Sequence, residues 1–254
     1  MDKKEEGWIF PFAAPCVPPP PYHMTPETEY IMVFYETDLE ALKYEIPEPL
    51  ELAPDPICMA WIGEAHQPPH THGRYHEGVI GIKVKYRDVI GWYSPYMWVH
   101  TDEALISGHL YGFPKQICDD TPIERVGNQV NAAIKRRGQP LYSMVFIFTS
   151  PPVSKREEPE EAKLGKLLGP VPWLQIKKVP SPEKEGKVLK QLVRIDMERQ
   201  PPAELWGGNA SILFTPNAYY PHLDKLQPRK YLYACYVRPN TILPHGNVIW
   251  EEFK

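Results

Sequence analysis

The chain has 254 residues and a net charge of −4 at neutral pH, from 28 lysines and arginines against 32 aspartates and glutamates. That balance offers no basic excess for a nucleic-acid or membrane partner. Proline stands out: 31 prolines and 16 glycines make about 19% of the chain, below the roughly 25–30% of low-complexity sequences, so the chain is expected to fold. Because proline removes a backbone donor and breaks helix interiors, this abundance excludes a long helical bundle and favours short strands with ordered loops.

With 43% hydrophobic and 12% aromatic residues the chain can bury a large core, yet no apolar run nears the roughly 18 residues of a membrane-spanning helix. The N-terminus, Met1–Glu6 running into Trp8-Ile9-Phe10, lacks the long apolar segment of a signal peptide, and a cytoplasmic location is expected. Cys16, Cys58, Cys118 and Cys235 form no C-x-x-C pair and are expected to be buried thiols.

In chain order, Pro11 to Pro26 holds seven prolines in sixteen positions and predicts an extended arm lying on the body or on a neighbouring subunit. Tyr30–Tyr35 reads as a strand, and Thr37-Asp38-Leu39-Glu40 as a capping box opening a helix to about Tyr44, stopped by Pro47 and Pro49. Further predicted strands are Ile57–Ile62, Gly78–Tyr86, Tyr142–Thr149, Leu174–Val179, Val188–Asp196, Ala210–Phe214, Tyr231–Val237 and Asn247–Trp250. In Gly78–Tyr86 the alternation puts Ile80, Ile82, Val84 and Tyr86 on one face and Gly81, Lys83 and Lys85 on the other.

One helix is predicted over Glu103–Tyr111, capped by Thr101 or Asp102 and ended by Gly112 with Pro114 beyond. A second is predicted over Glu158–Leu168, inside a charged segment, 154–170, that reads as a solvated surface insertion. Many strands, few helices and no βαβ alternation predict a mainly β (α+β) chain. Its antiparallel sheets curl into a barrel-like body, residues 1–254 forming one domain with 1–26 as its arm.

Three constellations could carry chemistry. His70-x-His72 followed by Glu77 has the ligand spacing of a cupin-type metal site, and Pro244-His245-Gly246 supplies the later turn of such a site but not its fourth ligand. The alternative is a polar, proline-rich loop whose histidines bond turn carbonyls.

The second constellation is Tyr111-Gly112-Phe113-Pro114-Lys115-Gln116, a lysine fixed by proline in apolar company at the junction of a helix and a strand. Lys115 is either a surface lysine with a snorkelling stem or a nucleophile. Nucleophilicity requires the neutral amine, and desolvation that depresses a reference pKa near 10.4 by about three to four units, worth roughly 4–5 kcal/mol, would supply it. Glu77 is the third: as the last residue before an alternating strand it projects toward a barrel mouth or interior, where the alternatives are an ordinary exposed carboxylate or, paired with a neutral lysine, a proton carrier or electrostatic guide.

At Gly112-Phe113-Pro114-Lys115 the chain resembles the acetoacetate decarboxylase family, whose Schiff-base lysine lies in a Gly-aromatic-Pro-Lys segment. The resemblance extends through Tyr30–Leu52 with Pro47-Glu48-Pro49-Leu50-Glu51, Trp206-Gly207-Gly208 with Pro221 and Leu223, and Ile242-Leu243-Pro244 through Val248-Ile249 to Phe253. It is thinnest from about Arg125 to Lys190.

The resemblance implies a barrel-like acetoacetate decarboxylase fold, a small oxo acid as substrate, a covalent lysine imine in place of any cofactor or metal, and a homo-oligomer. Lys115 would be the nucleophile, Glu77 the group that positions substrate and steers the proton, and Phe113 and Met97 part of the apolar wall. The implied reaction is decarboxylation of a small β-keto acid such as acetoacetate. The alternative within the family is an aldolase-dehydratase acting on pyruvate or a related oxo acid, with Tyr231, Tyr233 or Tyr236 as proton carrier.

Three positions depart from the family pattern. Gln116 replaces the second lysine of Pro-Lys-Lys, so desolvation must activate Lys115 without a cationic neighbour. Thr28, or Glu27 or Glu29, stands where the family carries an arginine, with Arg74 the nearest substitute for binding the substrate carboxylate. Ser107-Gly108-His109 stands where Gly-Arg-Glu is usual, placing His109 among the expected substrate-binding residues.

Overall fold

The computed structural model describes residues 8–11, 13–149, 159–183 and 185–253. The N-terminal half contains β1 (Tyr22–His23), β2 (Glu29–Glu36), α1 (Leu39–Glu45), β3 (Glu51–Leu52), β4 (Cys58–His66), β5 (Arg74–Tyr86) and β6 (Val89–Val99). Next come α2 (Asp102–Tyr111), β7 (Lys115–Ile117), β8 (Glu124–Val126), β9 (Gln129–Arg136), β10 (Gln139–Phe148) and α3 (Pro159–Leu168). The chain ends with β11 (Trp173–Val179), β12 (Leu189–Ile195), β13 (Glu198–Phe214), β14 (Lys230–Leu243) and β15 (Asn247–Phe253).

The fold is mainly β with few helices, as expected. Its strands hydrogen-bond in the order β15-β12-β11-β6-β5-β4-β2-β14-β13-β10-β9-β8, with β1 on β14, β3 on β5 and β7 on β6. The path does not close, because β15 and β8 do not pair with each other. Barrel-like curvature comes from packing instead: the β9–β10 end lies over β4 and β5, where the Tyr142 hydroxyl donates to the Trp61 carbonyl at 2.8 Å.

Two apolar cores occupy opposite faces of the central strands. Ile31, Val33 and Tyr35 of β2 and Ile80, Ile82 and Val84 of β5 enter one, while Tyr30, Met32 and Phe34 of β2 and Tyr75 and Val79 of β5 enter the other. The alternation read from Gly78–Tyr86 is therefore observed, and period-2 geometry explains how one strand feeds both cores.

Strands that the sequence reading passed over contain prolines accommodated by irregular pairing. In β6 the register with β5 shifts between Ile80 and Ile82, next to Ser94-Pro95. Pro95 has no N–H to give the ladder, and the Ser94 hydroxyl donates to the Ile80 carbonyl at 2.9 Å in its place. In β13 the register with β14 shifts between Gln200 and Glu204, which absorbs Pro201 and Pro202.

Other local expectations are corrected in detail. The cap of α1 is Asp38, whose carboxylate accepts from the Glu40 and Ala41 N–H groups, while Thr37 donates to the Gln227 carbonyl. Glu40 pairs with Lys43 instead of reaching back to complete a box. Cys58, Cys118 and Cys235 are buried thiols, but Cys16 is half-exposed on the arm. The arm lies on the body of its own chain, with Val17 and Tyr22 buried and β1 paired to β14.

The charge run of the predicted insertion falls largely on 150–158, outside the described residues. The end of α3 is not simply solvated: Leu164 is buried and joins the second core, with Leu167 and Leu168 packed against it. No helix among the described residues is long and apolar enough to cross a membrane.

Candidate active site

Helix α2 and the turn after it position Lys115. Ala104, Ser107, Gly108 and Tyr111 are the buried residues of α2, a spacing that defines one face. The helix ends with Gly112 at φ 87°, its N–H bonding the carbonyls of Gly108 and His109, and the Phe113 N–H also bonds the Gly108 carbonyl at 3.0 Å. This is a Schellman stop. Glycine is required at 112 twice over, since a side chain there would be strained by the positive φ and its Cβ would fall 2.8 Å from the Lys177 nitrogen.

Pro114 then leads into β7, which runs parallel to β6 with Lys115 opposite Met97. His109 bonds back to this turn: its Nε2–H donates to the Lys115 carbonyl at 2.7 Å. His109 thus fixes the backbone of the lysine. Phe113 is buried with its ring edge-on to Trp173 at 5.8 Å, and Met97 is buried beside it in the second core.

The side chain of Lys115 runs back across α2 at Gly108, where a Cβ would lie 2.3 Å from Cδ. Only 8% of Lys115 is exposed. Its Nζ lies over the Tyr75 ring, 5.4 Å from the centroid, and among the described residues it has no ion-pair partner. Burial lowers its pKa below the ordinary value, an effect partly opposed by the charge of Glu77.

His72 sits on the same side, its Nδ1 bonded to Gln67 Oε1 at 2.5 Å and its Nε2 to Ser107 Oγ at 2.7 Å. Burial, helped by the charge of Lys115, takes His72 down to about 3, so it is neutral at physiological pH. Gln67 Nε2 also donates to the Tyr75 hydroxyl at 3.4 Å, which ties the ring facing the Lys115 amine to the His72 side of the site.

Glu77, 4% exposed, accepts from the Tyr30 hydroxyl at 2.8 Å and the Trp61 indole N–H at 3.3 Å, both on Oε1. These three residues line a cavity of about 660 Å³ whose walls include Met32, Met59 and Trp173; Lys115, Phe113 and Met97 are not among its lining residues, and Glu77, whose charge acts on Lys115, is the link between the cavity and the amine. Apolar walls with a few convergent polar groups are the usual composition of a small-molecule site.

The cupin-type set is not assembled. His72 is bonded to Gln67 and Ser107, Glu77 to Tyr30 and Trp61, and His70 is exposed in the turn between β4 and β5. The histidines and carboxylates that do converge lie on the other face of β5. His76 bridges Glu64 and Asp120, and its backbone N–H donates to His100 Nδ1 at 2.7 Å. The donor to Nδ1 puts the proton of a neutral His100 on Nε2, the atom facing Asp120, so this arrangement is set for hydrogen bonding.

A family model described as Acetoacetate decarboxylase (ADC) matches residues 10–253. The chain belongs to the acetoacetate decarboxylase family. Among its relatives, a protein named Acetoacetate decarboxylase from Burkholderia vietnamiensis (strain G4 / LMG 22486) is 25% identical over 252 residues, spanning 98% of this chain and 97% of the relative. A solved structure described as Structural Studies of Acetoacetate Decarboxylase superposes with a TM-score of 0.84 at 22% identity, covering 100% of both chains. The enduracididine biosynthesis enzyme MppR complexed with pyruvate has a TM-score of 0.76 at 18% identity, with 97% of this chain and 98% of that one covered. At these identities both structures report on the fold.

Against the decarboxylase-family pattern, two of the three departures, Gln116 and the Thr28–Glu29 position, have these structural surroundings, as does the expected substitute Arg74. Gln116 points away from Lys115 and accepts from the Tyr220 hydroxyl at 2.7 Å, leaving burial as the influence that lowers the lysine. Thr28 is buried and exchanges hydrogen bonds with the backbone of His66, and Glu29 pairs with Arg125 and Tyr236. Arg74 projects from the opposite face of β5 to Glu77 and forms an ion pair with Glu64. Burial would raise Glu64, but hydrogen bonds from Arg74, His66 and His76 outweigh it and take the carboxyl down to about 2.

Two tyrosines of β14, Tyr231 and Tyr236, bond away from the site, while Tyr233 joins the edge of the second core. Tyr236 donates to Glu29, the Tyr231 hydroxyl accepts from the Ile212 N–H, and Tyr233 packs on Phe34. Tyr30 and Trp61, which do hold Glu77, were read in the sequence only as parts of strands. Their residue types fit a packed sheet equally well, and only the registers of β2 on β4 and of β4 on β5 together bring them to Glu77.

Proposed function

We propose that this chain is a Schiff-base lyase that decarboxylates a small β-keto acid through Lys115. The observation that carries the reading is the buried Lys115 amine, with a lowered pKa and no ion-pair partner among the described residues. A neutral Nζ attacks the keto carbon, water leaves, and the protonated imine accepts the electron pair of the bond to the departing carbon dioxide. The enamine then takes a proton at carbon, and water releases the ketone and regenerates the amine.

Glu77 supports the proton movements. Both of its hydrogen bonds enter Oε1, and the Tyr30 hydroxyl stands as a second proton carrier beside it. His109 and Gly108 position the lysine without touching the reacting atoms. Phe113 and Met97 keep its surroundings apolar, which sustains the neutral amine.

Aldol condensation and dehydration on pyruvate through the same lysine is the second reading. It is favoured by the partners of Glu77, a tyrosine and a tryptophan where the family's guanidinium is expected, because a tyrosine can relay protons but does not hold a carboxylate by charge. Incubation with acetoacetate or pyruvate and borohydride, followed by mass spectrometry, should label Lys115, and labelling that survives Lys115→Ala refutes both readings. Carbon dioxide release from acetoacetate, measured beside product formation from pyruvate and an aldehyde, separates them.

A further inference from the structure

The cavity lined by Glu77 has a further polar group in its wall. Arg199, the second residue of β13, lines it, and its Nη1–H donates to the Gly169 carbonyl at 3.1 Å, just after α3. Among the described residues no carboxylate pairs with this guanidinium, and burial alone lowers its pKa. Among the described residues, the charged ones lining the cavity are Glu77, Asp196 and Arg199. Asp196 is already neutralised by Arg194, through contacts of 2.8 and 2.9 Å. Arg199 is therefore the one cation among the described lining residues.

A guanidinium has five N–H donors in a planar fork suited to carboxylates, and the Gly169 carbonyl uses one of them. Glu77 is held by Tyr30 of β2 and Trp61 of β4, whereas Arg199 is held at the Gly169 carbonyl after α3, so the anionic and cationic groups have separate anchors in the wall. Met32, Met59, Trp173, Leu205 and Val237 supply apolar lining. At about 660 Å³ the space lies within the roughly 300–1,000 Å³ of sites that enclose drug-sized ligands, far more than acetoacetate fills.

We infer that Arg199 selects the substrate by binding an anionic group at the far end of an oxo acid, whose apolar body lies along this wall and whose keto carbon faces Lys115. The keto end rests on the function proposed above, while the anion end rests on the cavity. A charge-assisted contact of this kind is worth about tenfold to a hundredfold in affinity. The substrate class is thus an oxo acid longer than acetoacetate, with an anion remote from the carbonyl.

The test titrates the full chain with hexanoate and with hexanamide, its neutral counterpart, reading fluorescence from Trp61 and Trp173 in the cavity wall. The expected result is at least about tenfold tighter binding of hexanoate, a preference that Arg199→Gln abolishes without weakening hexanamide, that Arg199→Lys keeps in part, and that Lys115→Ala leaves intact. Equal binding by the unaltered protein, a preference that survives Arg199→Gln, or one lost in Lys115→Ala overturns the inference. Equal weakening of both ligands by Arg199→Gln also overturns it, because that is the behaviour of a latch on the Gly169 carbonyl. Borohydride trapping of 3-oxoadipate at Lys115 reports the keto end separately: its absence refutes the Schiff-base reading while the hexanoate preference stands.

Discussion

Replacing Gly108 by alanine tests whether the stem of Lys115 is confined by the helix beneath it. The new Cβ would lie 2.3 Å from Cδ, 2.8 Å from Cε and 2.9 Å from Cγ of Lys115, where ordinary contact begins at 3.4 Å. The nearest methylene must therefore retreat by about 1 Å. The backbone of Lys115 has little room to follow, since β7 is paired to β6 and His109 holds its carbonyl. The displacement falls on the side chain and moves the amine.

Stability pulls the other way. Gly108 is helical, and alanine in a helix interior is favoured over glycine by up to about 1 kcal/mol, which offsets part of the contact strain. Misplacing a reacting group by about 1 Å costs on the order of a hundredfold in rate. Gly108→Ala is accordingly expected to melt within a few degrees of the unaltered protein while its borohydride labelling at Lys115 slows by about a hundredfold. An undiminished labelling rate in the folded variant would refute the argument that helix packing places the amine.

Two further outcomes follow from the electrostatics of the same lysine. The charge of Glu77 raises the Lys115 pKa against the lowering effect of burial, so Glu77→Gln should move the acid limb of the labelling rate to lower pH; a limb that moves upward contradicts this balance. Lys115→Met should be more stable than the unaltered protein at neutral pH, by urea unfolding. Between the lowered folded-state pKa and the ordinary 10.5 the unfolded chain binds the extra proton, so the stability of the unaltered protein rises with pH and the gap should narrow toward 10.5. A gap independent of pH would show that the buried amine carries no such penalty.

The sequence made most strands legible because period-2 alternation survives wherever two different cores take the two faces, as in β2 and β5. It concealed β6 and the first half of β13, where Pro95 and Pro201-Pro202 look like breaks and are absorbed by shifts in register. The helix stop at Gly112 and the entry to Lys115 were readable, since they depend on adjacent residues. Tyr30, Trp61 and Arg199 were not recognised as cavity residues, because each reaches it through pairings between distant strands. Tyr236 is the converse case: an aromatic in a plausible position whose hydroxyl belongs to Glu29.

The neighbouring positions of His76 and Glu77 on β5 make the chemistry hostage to strand register. Glu77 faces Tyr30 and Trp61, while His76, one residue before it, faces Glu64 and Asp120 on the other side. A one-residue slip of β5 would exchange the two, delivering an imidazole and the Arg74 guanidinium into the apolar site and withdrawing the carboxylate. The Glu64 network penalises that slip, because Arg74 and His76 would both lose their carboxylate partner. A polar cluster that never meets the substrate can thereby act as a proofreading mark, admitting only the alignment in which the carboxylate faces the lysine.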